Sequence, residues 1–334
     1  MRMTLPGLFD LQVNGFGGID FNAADLTAER AAEGLERMRA TGVTRCLPTL
    51  ITSSLDRFAR NARIIAGLPD AAVAGIHMEG PYVSPADGAR GAHPLEHVAP
   101  ATVDDFNRRQ DAALGRIVLV TLAPDVCGAL PMIEHLVAND VRIAIGHTSA
   151  TPQQVRDAVS AGATLATHLG NGCPQMLPRH PNVIWELLAA DAVFASVIAD
   201  LHHLPAATLK AMIRAKQPSR SILVTDAMAA AGCDDGDRQY RSASARRFTI
   251  GDVVCDVGSD GRVSLPGTPY LAGSSLTLPR AIANAVRVTG LPIEDVIPMA
   301  STIPAAYIGM APAGAITAEW DPDTCDLRVC SVTP

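Results

Sequence analysis

Two histidines, His147 and His168, have the residue type and the surroundings expected of metal ligands. Each follows a short apolar run, residues 143–145 in one case and residues 163–167 in the other. The Thr-Pro pair at 151–152, which lies between them, is typical of a helix that begins with an N-cap and a proline. The stretch therefore predicts a strand–helix–strand unit, whose parallel strands bring both imidazoles to the same edge of one sheet. Two imidazoles there could bind one metal ion, and the alternative is two unrelated histidines beside turns.

The same type of pattern extends over most of the chain. Runs that favour strands alternate with helical periodicities from residue 8 to residue 225, and each connection is long enough for a right-handed crossover. This alternation predicts an α/β fold of the (β/α)₈ TIM-barrel type. A dinucleotide-binding sheet is excluded, because the glycine-rich run at 14–18 lacks a third glycine before a helix. The predicted strands are residues 8–13, 44–51, 72–78, 117–122, 143–145, 163–167, 193–199 and 221–225, and the predicted helices between them include 26–40, 55–68, 103–114, 130–139 and 205–216.

The pattern changes after residue 226. Short β-prone runs between 246 and 265, separated by turn residues, predict a small β element inserted near 237–271. Helices are expected again at 276–288 and 293–300, and the tail from 314 to 332 is expected to form strands able to pair with the insertion. We therefore divide the chain into a barrel (1–236 and 272–312) and a small β subdomain that resembles a reduced β-sandwich (237–271 plus 313–334).

The composition limits the classes of function. Of the 334 residues, 48% are hydrophobic but only 4% are aromatic, which suits a parallel sheet built on aliphatic side chains. The net charge of −7 and the lack of long basic runs argue against nucleic-acid binding. No stretch approaches the ~20 apolar residues of a membrane helix, and the N-terminus has no apolar signal core. The seven cysteines include no CxxC pair, so we expect free thiols and a cytoplasmic protein without membrane contacts.

The C-terminal ends of the predicted strands carry polar side chains, and in a barrel these ends form the active site. Among them, Glu79, His147 and His168 make up the N/O ligand set of a catalytic zinc site with one open position. Asp226 ends the eighth strand, where it could take a proton from a water activated at that site. A solvated or capping role is the alternative for each carboxylate. The complete set read from the strand ends is Gln12, Asn14, Glu79, His147, His168, His203 and Asp226.

Five motifs give the chain a specific resemblance. Between residues 6 and 276 it contains, in order, PGLFDLQVNGFGGIDF, GIHMEGPYVSP followed by GAHP, IGHTSAT, ATHLGNG and VTDAMAAAG. The set resembles the ordered motifs of the N-acetylglucosamine-6-phosphate deacetylases, a family of the amidohydrolase superfamily of metal-dependent barrels. Many amidohydrolases carry a His-x-His pair after the first strand, whereas this chain has Gln-Val-Asn at 12–14. The resemblance therefore implies a single divalent ion held by Glu79, His147 and His168, with Zn²⁺ expected and Fe²⁺, Mn²⁺ or Co²⁺ as alternatives.

The resemblance also implies the hydrolysis of an amide. The expected reaction converts N-acetylglucosamine 6-phosphate to glucosamine 6-phosphate and acetate. A divalent ion lowers the pKa of water to about 7, and Asp226 would accept that proton as general base and return it to the leaving amine. His203 matches a family histidine that hydrogen-bonds the amide carbonyl and stabilises the oxyanion. Because His202 is adjacent, it is the alternative for this position.

Further residues are implied for substrate binding. His93, in GAHP, matches a histidine that lines the sugar site, and Asn171 and Gly172 match positions that contact the sugar phosphate. Arg179 resembles an arginine that reaches the phosphate across a homodimer interface, where its planar fork suits phosphate oxygens. The alternative is that Arg179 faces solvent. If it points away from the pocket, a phosphorylated substrate becomes unfavoured.

Three departures from the family pattern concern the substrate end of the site. Only five residues precede Pro6, where family members usually begin with several strands, so we expect a reduced β subdomain. Glycines flank Asn171 in place of a bulkier residue and an alanine, and Trp185 stands where small residues are common. The alternative function is therefore the hydrolysis of another small N-acyl or cyclic amide, with phosphate recognition lost. A non-catalytic barrel is disfavoured, because the complete set of ligands and base is retained.

Overall fold

The structure, a computed structural model, describes residues 1–233 and 246–334. The strands of the described part are β1 (Arg2–Pro6), β2 (Leu8–Val13), β3 (Gly15–Phe16), β4 (Ile19–Asp20), β5 (Val43–Ile51), β6 (Ile76–Glu79), β7 (Ile117–Leu122), β8 (Arg142–Ile145), β9 (Leu165–Ala166), β10 (Phe194–Ile198), β11 (Ser221–Val224), β12 (Arg246–Ile250), β13 (Val253–Val257), β14 (Val263–Ser264), β15 (Ala315–Asp321) and β16 (Asp326–Thr333). The helices are α1 (Ala28–Ala40), α2 (Leu55–Ala66), α3 (Val103–Ala112), α4 (Ala129–Ala138), α5 (Pro152–Ser160), α6 (Val183–Ala189), α7 (Ala206–Lys216), α8 (Leu278–Thr289), α9 (Ile293–Val296) and α10 (Thr302–Ile308), and short 3₁₀ turns cover Leu95–His97, Pro218–Arg220 and Ile297–Ala300.

Eight parallel strands form the central sheet, with neighbours in the order β2-β5-β6-β7-β8-β9-β10-β11. The sheet closes where its first and last strands meet. There the backbone N–H of Asp226 donates to the carbonyl of Gln12 at 2.9 Å, and that of Asn14 donates to the carbonyl of Ala227 at 2.7 Å. Every residue of β2 and of β6 is buried, as expected for parallel strands covered on both faces. The predicted (β/α)₈ barrel is confirmed.

Local hydrogen bonds fix where the helices begin. α5 starts with a capping box, in which the Thr151 hydroxyl accepts the backbone N–H of Gln154 and the Gln154 side chain accepts the backbone N–H of Thr151. α1, α2 and α3 begin after Thr27, Ser54 and Thr102, whose hydroxyls also accept backbone N–H groups. These caps fix where the loop between each strand and the following helix ends. Polar side chains of the barrel mouth lie on these loops.

Two helices are missing from the sequence-based prediction. α6 lies between β9 and β10, and its seven residues are too few to show a clear helical period. Its start is fixed by the Asn182 side chain, which accepts two backbone N–H groups. α10 follows the predicted helix 293–300, which in the structure is α9 and a 3₁₀ turn. The third barrel strand begins at Ile76, later than predicted, because residues 72–74 make only an isolated bridge to Cys46.

Two antiparallel three-stranded sheets lie outside the barrel, one made of β12, β13 and β14 and the other of β1, β15 and β16. The expected pairing of the tail with the insertion is wrong for the described strands, because β15 pairs with β1 and β16. β1 itself was not predicted. Residues 237–245 of the predicted insertion lie outside the described residues. We retain the division into a barrel (1–236 and 272–312) and a small β subdomain (237–271 plus 313–334) as a proposal.

One continuous hydrophobic core fills the barrel and the interface between its strands and helices. A second, smaller cluster joins the β12–β14 sheet to residues 228–230, just beyond the last barrel strand. The small sheet is therefore packed against the C-terminal end of the barrel. Within the described part of the chain, none of the helices is long and apolar enough to cross a membrane.

Candidate metal centre and active site

Three buried side chains, which we call the Glu–His–His cluster, meet at the C-terminal edge of the barrel. Glu79 is the last residue of β6, and His147 and His168 each stand two residues beyond the end of β8 and β9. Glu79 Oε1 lies 3.1 Å from Nε2 of both histidines, and the two Nε2 atoms lie 3.1 Å from each other. Ligands of one tetrahedral zinc ion lie about 3.3 Å apart, given metal–ligand distances of about 2.0–2.1 Å. The cluster therefore has the spacing of a donor set that could hold one metal ion.

Hydrogen bonds and charge prepare these donors for a cation. His147 Nδ1 lies 3.0 Å from the carbonyl oxygen of Ala89, which can only accept, so Nδ1 carries the proton. Nε2 of His147 is then left with its lone pair directed at the other two members, as ligation requires. Burial raises the pKa of Glu79, but its contacts with His147 and His168 and the charge interactions with these rings outweigh burial and hold the pKa well below its usual value of 4.5. A charged carboxylate beside imidazole nitrogens suits a divalent ion.

The backbone is strained at the positions that converge on the barrel mouth. φ is +49° at His147, +30° at His168 and +50° at Asp226. Residues with a side chain rarely adopt this left-handed region. Such strain persists only where the surrounding structure over-determines it, and it is concentrated at functional sites. It occurs here at two members of the cluster and at the neighbouring carboxylate, an arrangement that is typical of a functional site.

Asp226 is linked to the cluster by an amide side chain. Gln12 Nε2 donates to Glu79 Oε1 at 3.0 Å and to Asp226 Oδ1 at 3.2 Å, and Asn14 Nδ2 donates to the same Asp226 oxygen at 2.7 Å. Burial and the charge of Glu79 raise the pKa of Asp226 to about 6, although nearby imidazoles act in the opposite direction. A carboxylate with a pKa in this range can accept a proton near neutral pH.

The two adjacent histidines after β10 face different directions. His203 lines the cavity above the cluster, and its Nδ1 lies 2.7 Å from Oδ2 of Asp200. His202 contacts the backbone carbonyl of Asp260 through Nε2 at 3.2 Å and does not line that cavity. Of the two adjacent histidines, His203 is therefore the one that faces the cavity.

His93 packs edge-on against His147, with ring centroids 4.2 Å apart. Its Nδ1 lies 2.7 Å from the hydroxyl of Thr52, which fixes the ring orientation. Burial and the neighbouring His147 lower the pKa of His93 to about 3, so the ring is neutral at physiological pH. A neutral histidine offers one donor and one acceptor nitrogen, which suits a sugar hydroxyl.

A cavity of about 420 Å³ opens above the cluster, and its lining includes Asn171 and Gly172. Arg179 does not line it. This arginine is exposed on the loop before α6, where its backbone carbonyl accepts from Trp185 Nε1 at 3.2 Å. Among the described residues, the lining of the cavity contains neither lysine nor arginine. Of the predicted site residues, Arg179 is thus the one that the structure does not bring to this chain's own cavity.

Sequence reasoning did not identify the partners that orient the histidines, namely Ala89, Thr52 and Asp200. Ala89 and Thr52 lie in loops whose course depends on tertiary contacts rather than on a local pattern. Asp200 had a recognisable feature, because it ends the seventh predicted strand and stands three residues before His203. Polar residues at the ends of barrel strands are therefore candidate site residues even when they match no motif.

Comparisons with known proteins identify the family. The model of the amidohydrolase family matches residues 3–325. An N-acetylgalactosamine-6-phosphate deacetylase of Escherichia coli O157:H7 is 35% identical over 92% of this chain and 79% of its own length. The N-acetylglucosamine-6-phosphate deacetylase of Homo sapiens is 32% identical over 92% of this chain and 75% of its own length. The chain belongs to the N-acetylglucosamine-6-phosphate deacetylase family of the amidohydrolases.

A solved structure supports the same assignment for this deacetylase-family chain. A mutant N-acetyl-D-glucosamine-6-phosphate deacetylase from Mycobacterium smegmatis, in complex with N-acetyl-D-glucosamine-6-phosphate, aligns with a TM-score of 0.88 and 31% identity. The alignment covers 99% of this chain and 85% of that one. As a member of this family, the chain is a hydrolase of carbon–nitrogen bonds. Amidohydrolases are metal-dependent, and the Glu–His–His cluster could hold the metal.

Proposed function

We propose that the chain removes the acetyl group from an N-acetylamino sugar phosphate, converting N-acetylglucosamine 6-phosphate and water to glucosamine 6-phosphate and acetate. The observation that carries the proposal is the Glu–His–His cluster beside the carboxylate of Asp226. A cation site next to a base with a raised pKa is what the hydrolysis of an unactivated amide requires near neutral pH. Relatives named as deacetylases of N-acetylglucosamine or N-acetylgalactosamine 6-phosphate support the same reaction.

We assign Glu79, His147 and His168 as the ligands of one divalent ion. Zn²⁺ is the proposed ion, and Fe²⁺, Mn²⁺ and Co²⁺ are alternatives that the same N/O donor set accepts. When bound, the ion polarises the amide carbonyl and lowers the pKa of water.

The remaining chemistry is assigned to side chains of the cavity. Asp226 accepts one proton from the attacking water and delivers it to the leaving nitrogen, so that the carbon–nitrogen bond breaks to give the amine and acetic acid. The acid then ionises to acetate, and its proton passes to the amine or to solvent. His203 donates an N–H to the amide oxygen and stabilises the negative charge that develops there. His93 provides a neutral hydrogen-bonding nitrogen for a sugar hydroxyl. Gln12 and Asn14 keep the Asp226 carboxylate in place while the proton moves.

We propose that recognition of the phosphate needs a second subunit. A phosphate ester carries a charge of about −1.5 to −2 at pH 7, and the described lining of the cavity offers Asn171 and the backbone of Gly172 but no cationic side chain. Arg179 of the partner subunit is proposed to supply the missing charge in a homodimer, since its fork can bind phosphate oxygens in pairs. Met176, on the same loop, is 89% exposed, and Trp185, in α6, is 53% exposed. Large side chains of these types are enriched in protein interfaces.

A cytoplasmic location is also proposed. The cysteines Cys46, Cys127, Cys173, Cys255, Cys325 and Cys330 are free thiols, which is the usual state in a reducing compartment. The net charge of −7 supports a small-molecule substrate rather than a nucleic-acid partner.

Acetate release tests the proposed reaction. Metal-loaded protein is incubated with N-acetylglucosamine 6-phosphate and with its unphosphorylated form, each with and without a chelator. We expect turnover of the phosphorylated sugar alone, and loss of turnover when the chelator removes the metal. Turnover of the unphosphorylated sugar alone would favour the alternative hydrolase without phosphate recognition. N-acetylgalactosamine 6-phosphate is included as a second candidate, because the Escherichia coli relative named for that substrate is 35% identical. Failure to hydrolyse any of the three would overturn the proposal.

A further inference from the structure

The loop after β10 contains a carboxylate–imidazole pair beside the cavity. Asp200 Oδ2 lies 2.7 Å from Nδ1 of His203, and Asp200 Oδ1 accepts the backbone N–H groups of His202 and His203 at 2.9 Å each. The side chains of His203 and Asp200 are only 7% and 11% exposed, so water competes little for this contact. Burial raises the pKa of Asp200, but its hydrogen bonds with His203 and the charge of that ring outweigh burial and keep the pKa below its usual value. Asp200 is therefore an ionised carboxylate with three donors.

The backbone around Asp200 is held from two sides. The carbonyl of Ala199 accepts from Nδ2 of Asn284, a buried residue of α8, at 2.8 Å. Leu201 has φ of +69°, and the turn that it makes brings the next two N–H groups onto the Asp200 carboxylate. A leucine in the left-handed region is unfavourable, so the turn persists because its contacts offset this strain. The contact with His203 is thus supported by hydrogen bonds on both sides of Asp200.

We propose that Asp200 is a positioning residue, which keeps a proton on Nδ1 of His203 and stabilises the positively charged ring that donates from Nε2 to the substrate's amide oxygen. This inference rests on the proposed function. A neutral imidazole with its proton on Nδ1 has only a lone pair on Nε2 and cannot donate from that atom. A ring with a proton on each nitrogen donates to Asp200 from Nδ1 and to the amide oxygen from Nε2. The Asp200 carboxylate, 2.7 Å from Nδ1, then lies opposite the charge of that ring and holds it toward the developing oxyanion.

Asp200→Asn separates this role from the formation of the turn. The asparagine Oδ1 can still accept both backbone N–H groups, but its Nδ2 donates toward Nδ1 of His203, which must then be the nitrogen without a proton. We expect kcat to fall about 10- to 100-fold, less than the roughly 10²- to 10³-fold cost of losing a complete oxyanion donor. KM should change less than about 3-fold, because the contact acts mainly in the transition state. Asp321→Asn is the matched control, since Asp321 also accepts a backbone N–H, from Asp323, but is exposed and does not line the cavity.

A double-mutant cycle tests whether Asp200 acts through His203. In a His203→Gln background, Asp200→Asn should lower kcat by less than about 2-fold further, because the group that Asp200 positions is already absent. A full additional loss in this background would overturn the proposal, since it would assign Asp200 a separate role.

The position of the proton is measured without reference to turnover. In ¹⁵N NMR spectra of zinc-loaded protein labelled at histidine, the ring signals missing from His203→Gln belong to His203. We expect a protonated Nδ1 in the wild type and a protonated Nε2 with a bare Nδ1 in Asp200→Asn. A bare Nδ1 in the wild type, or wild-type kcat in Asp200→Asn, would overturn the proposal. If the wild type hydrolyses none of the sugars, the proposed function fails, and the NMR result still decides whether Asp200 sets the proton on His203.

Discussion

Two neighbouring carboxyl groups at the barrel mouth have pKa values that are shifted in opposite directions. Contacts with His147 and His168 keep the pKa of Glu79 well below its usual value in spite of burial, whereas burial and the charge of Glu79 raise the pKa of Asp226 to about 6. Environments that separate two pKa values in this way allow a division of roles. Glu79 remains charged and suits a cation, and Asp226 can exchange a proton.

Asp226→Asn is expected to remove the proposed base and to leave the proposed metal ligands intact. The amide has almost the same size as the carboxylate but cannot accept the proton, so kcat should fall about 10²- to 10⁴-fold. Acetate release and bound metal are measured on the same preparation, with Asp323→Asn at an exposed position as the control. Full activity in Asp226→Asn would exclude this residue as the base.

Asp10, in the barrel interior, is another buried carboxyl with a raised pKa. Its Oδ2 accepts from the Thr225 hydroxyl at 2.5 Å, and its Oδ1 accepts the backbone N–H groups of Gln12 and Thr225 at 3.2 Å each. Burial raises the pKa of Asp10 from 3.8 to about 7 in spite of these bonds. Between pH 3.8 and about pH 7, the Asp10 carboxyl is therefore protonated in the folded state and deprotonated in the unfolded state. The resulting stabilisation is complete below about pH 4 and is lost as the pH rises through 7.

Asp10→Asn should remove this pH dependence, because the amide does not titrate. The difference in the free energy of unfolding, variant minus wild type, is expected to increase by up to about 4 kcal/mol from pH 4 to pH 7, because only the wild type loses stability over this range. Urea unfolding of metal-loaded protein at pH 5 and at pH 8 measures the difference, with Asp323→Asn again as the control. A difference between variant and wild type that is the same at both pH values would contradict the assignment of the raised pKa to Asp10.

Among the secondary-structure elements, α6 depends on a single buried lysine from its neighbour. Lys216, in the last turn of α7, donates from Nζ to the carbonyl of Leu187 at 2.9 Å and to that of Ala190 at 2.6 Å. These carbonyls belong to the C-terminal end of α6, where the helix leaves its last acceptors unpaired. Lys216 thus stabilises a short helix that follows the loop carrying Arg179.

Lys216→Met keeps the length and the apolar stem of the side chain but removes the cap. We expect the free energy of unfolding to fall by about 1–3 kcal/mol, because buried carbonyls lose a charged donor. Thermal or urea unfolding measures the change, and Arg214→Met, at an exposed position of the same helix, is the control. Equal stability of the two variants would show that the cap contributes nothing.

The elements differ in how far the sequence determined them. The barrel strands were predictable because parallel strands buried on both faces are continuous apolar runs, and the Glu–His–His cluster followed from the residues at their ends. α6 was not predictable from periodicity, because it has only seven residues. The orienting contacts of Ala89 and Thr52 were not predictable either, because they depend on how separate loops meet in three dimensions.

At the scale of the whole molecule, the proposed homodimer makes each cavity depend on two chains. Arg179→Ala should raise KM for the phosphorylated sugar, and Asp226→Asn should be inactive. In a mixed dimer the Asp226→Asn subunit supplies an intact Arg179 to the cavity of the other subunit. Mixing the two variants is therefore expected to recover roughly one quarter of wild-type activity, given random exchange within a symmetric dimer.

The control for this experiment is each variant mixed with itself under the same exchange conditions. A dimer shown by sedimentation, with no recovery of activity on mixing, would contradict the contribution of Arg179 across the interface. A monomeric wild type with full activity on the phosphorylated sugar would exclude the homodimer itself.

The closure of the barrel has a consequence for the order in which the chain acquires its properties during folding. The three cluster residues lie at the ends of β6, β8 and β9, in a continuous part of the sheet. The proposed base, Asp226, follows β11 and is hydrogen-bonded to Gln12, 214 positions earlier in the chain. Contacts between residues so far apart in the sequence form late, because closing the long loop between them costs conformational entropy. In refolding protein, uptake of Zn²⁺, followed with a fluorescent indicator, is therefore expected to precede the return of acetate release, and simultaneous recovery would contradict this order. A chain that has not joined its first barrel strand to its last would then sequester metal without hydrolysing anything, so turnover reports that the fold is complete.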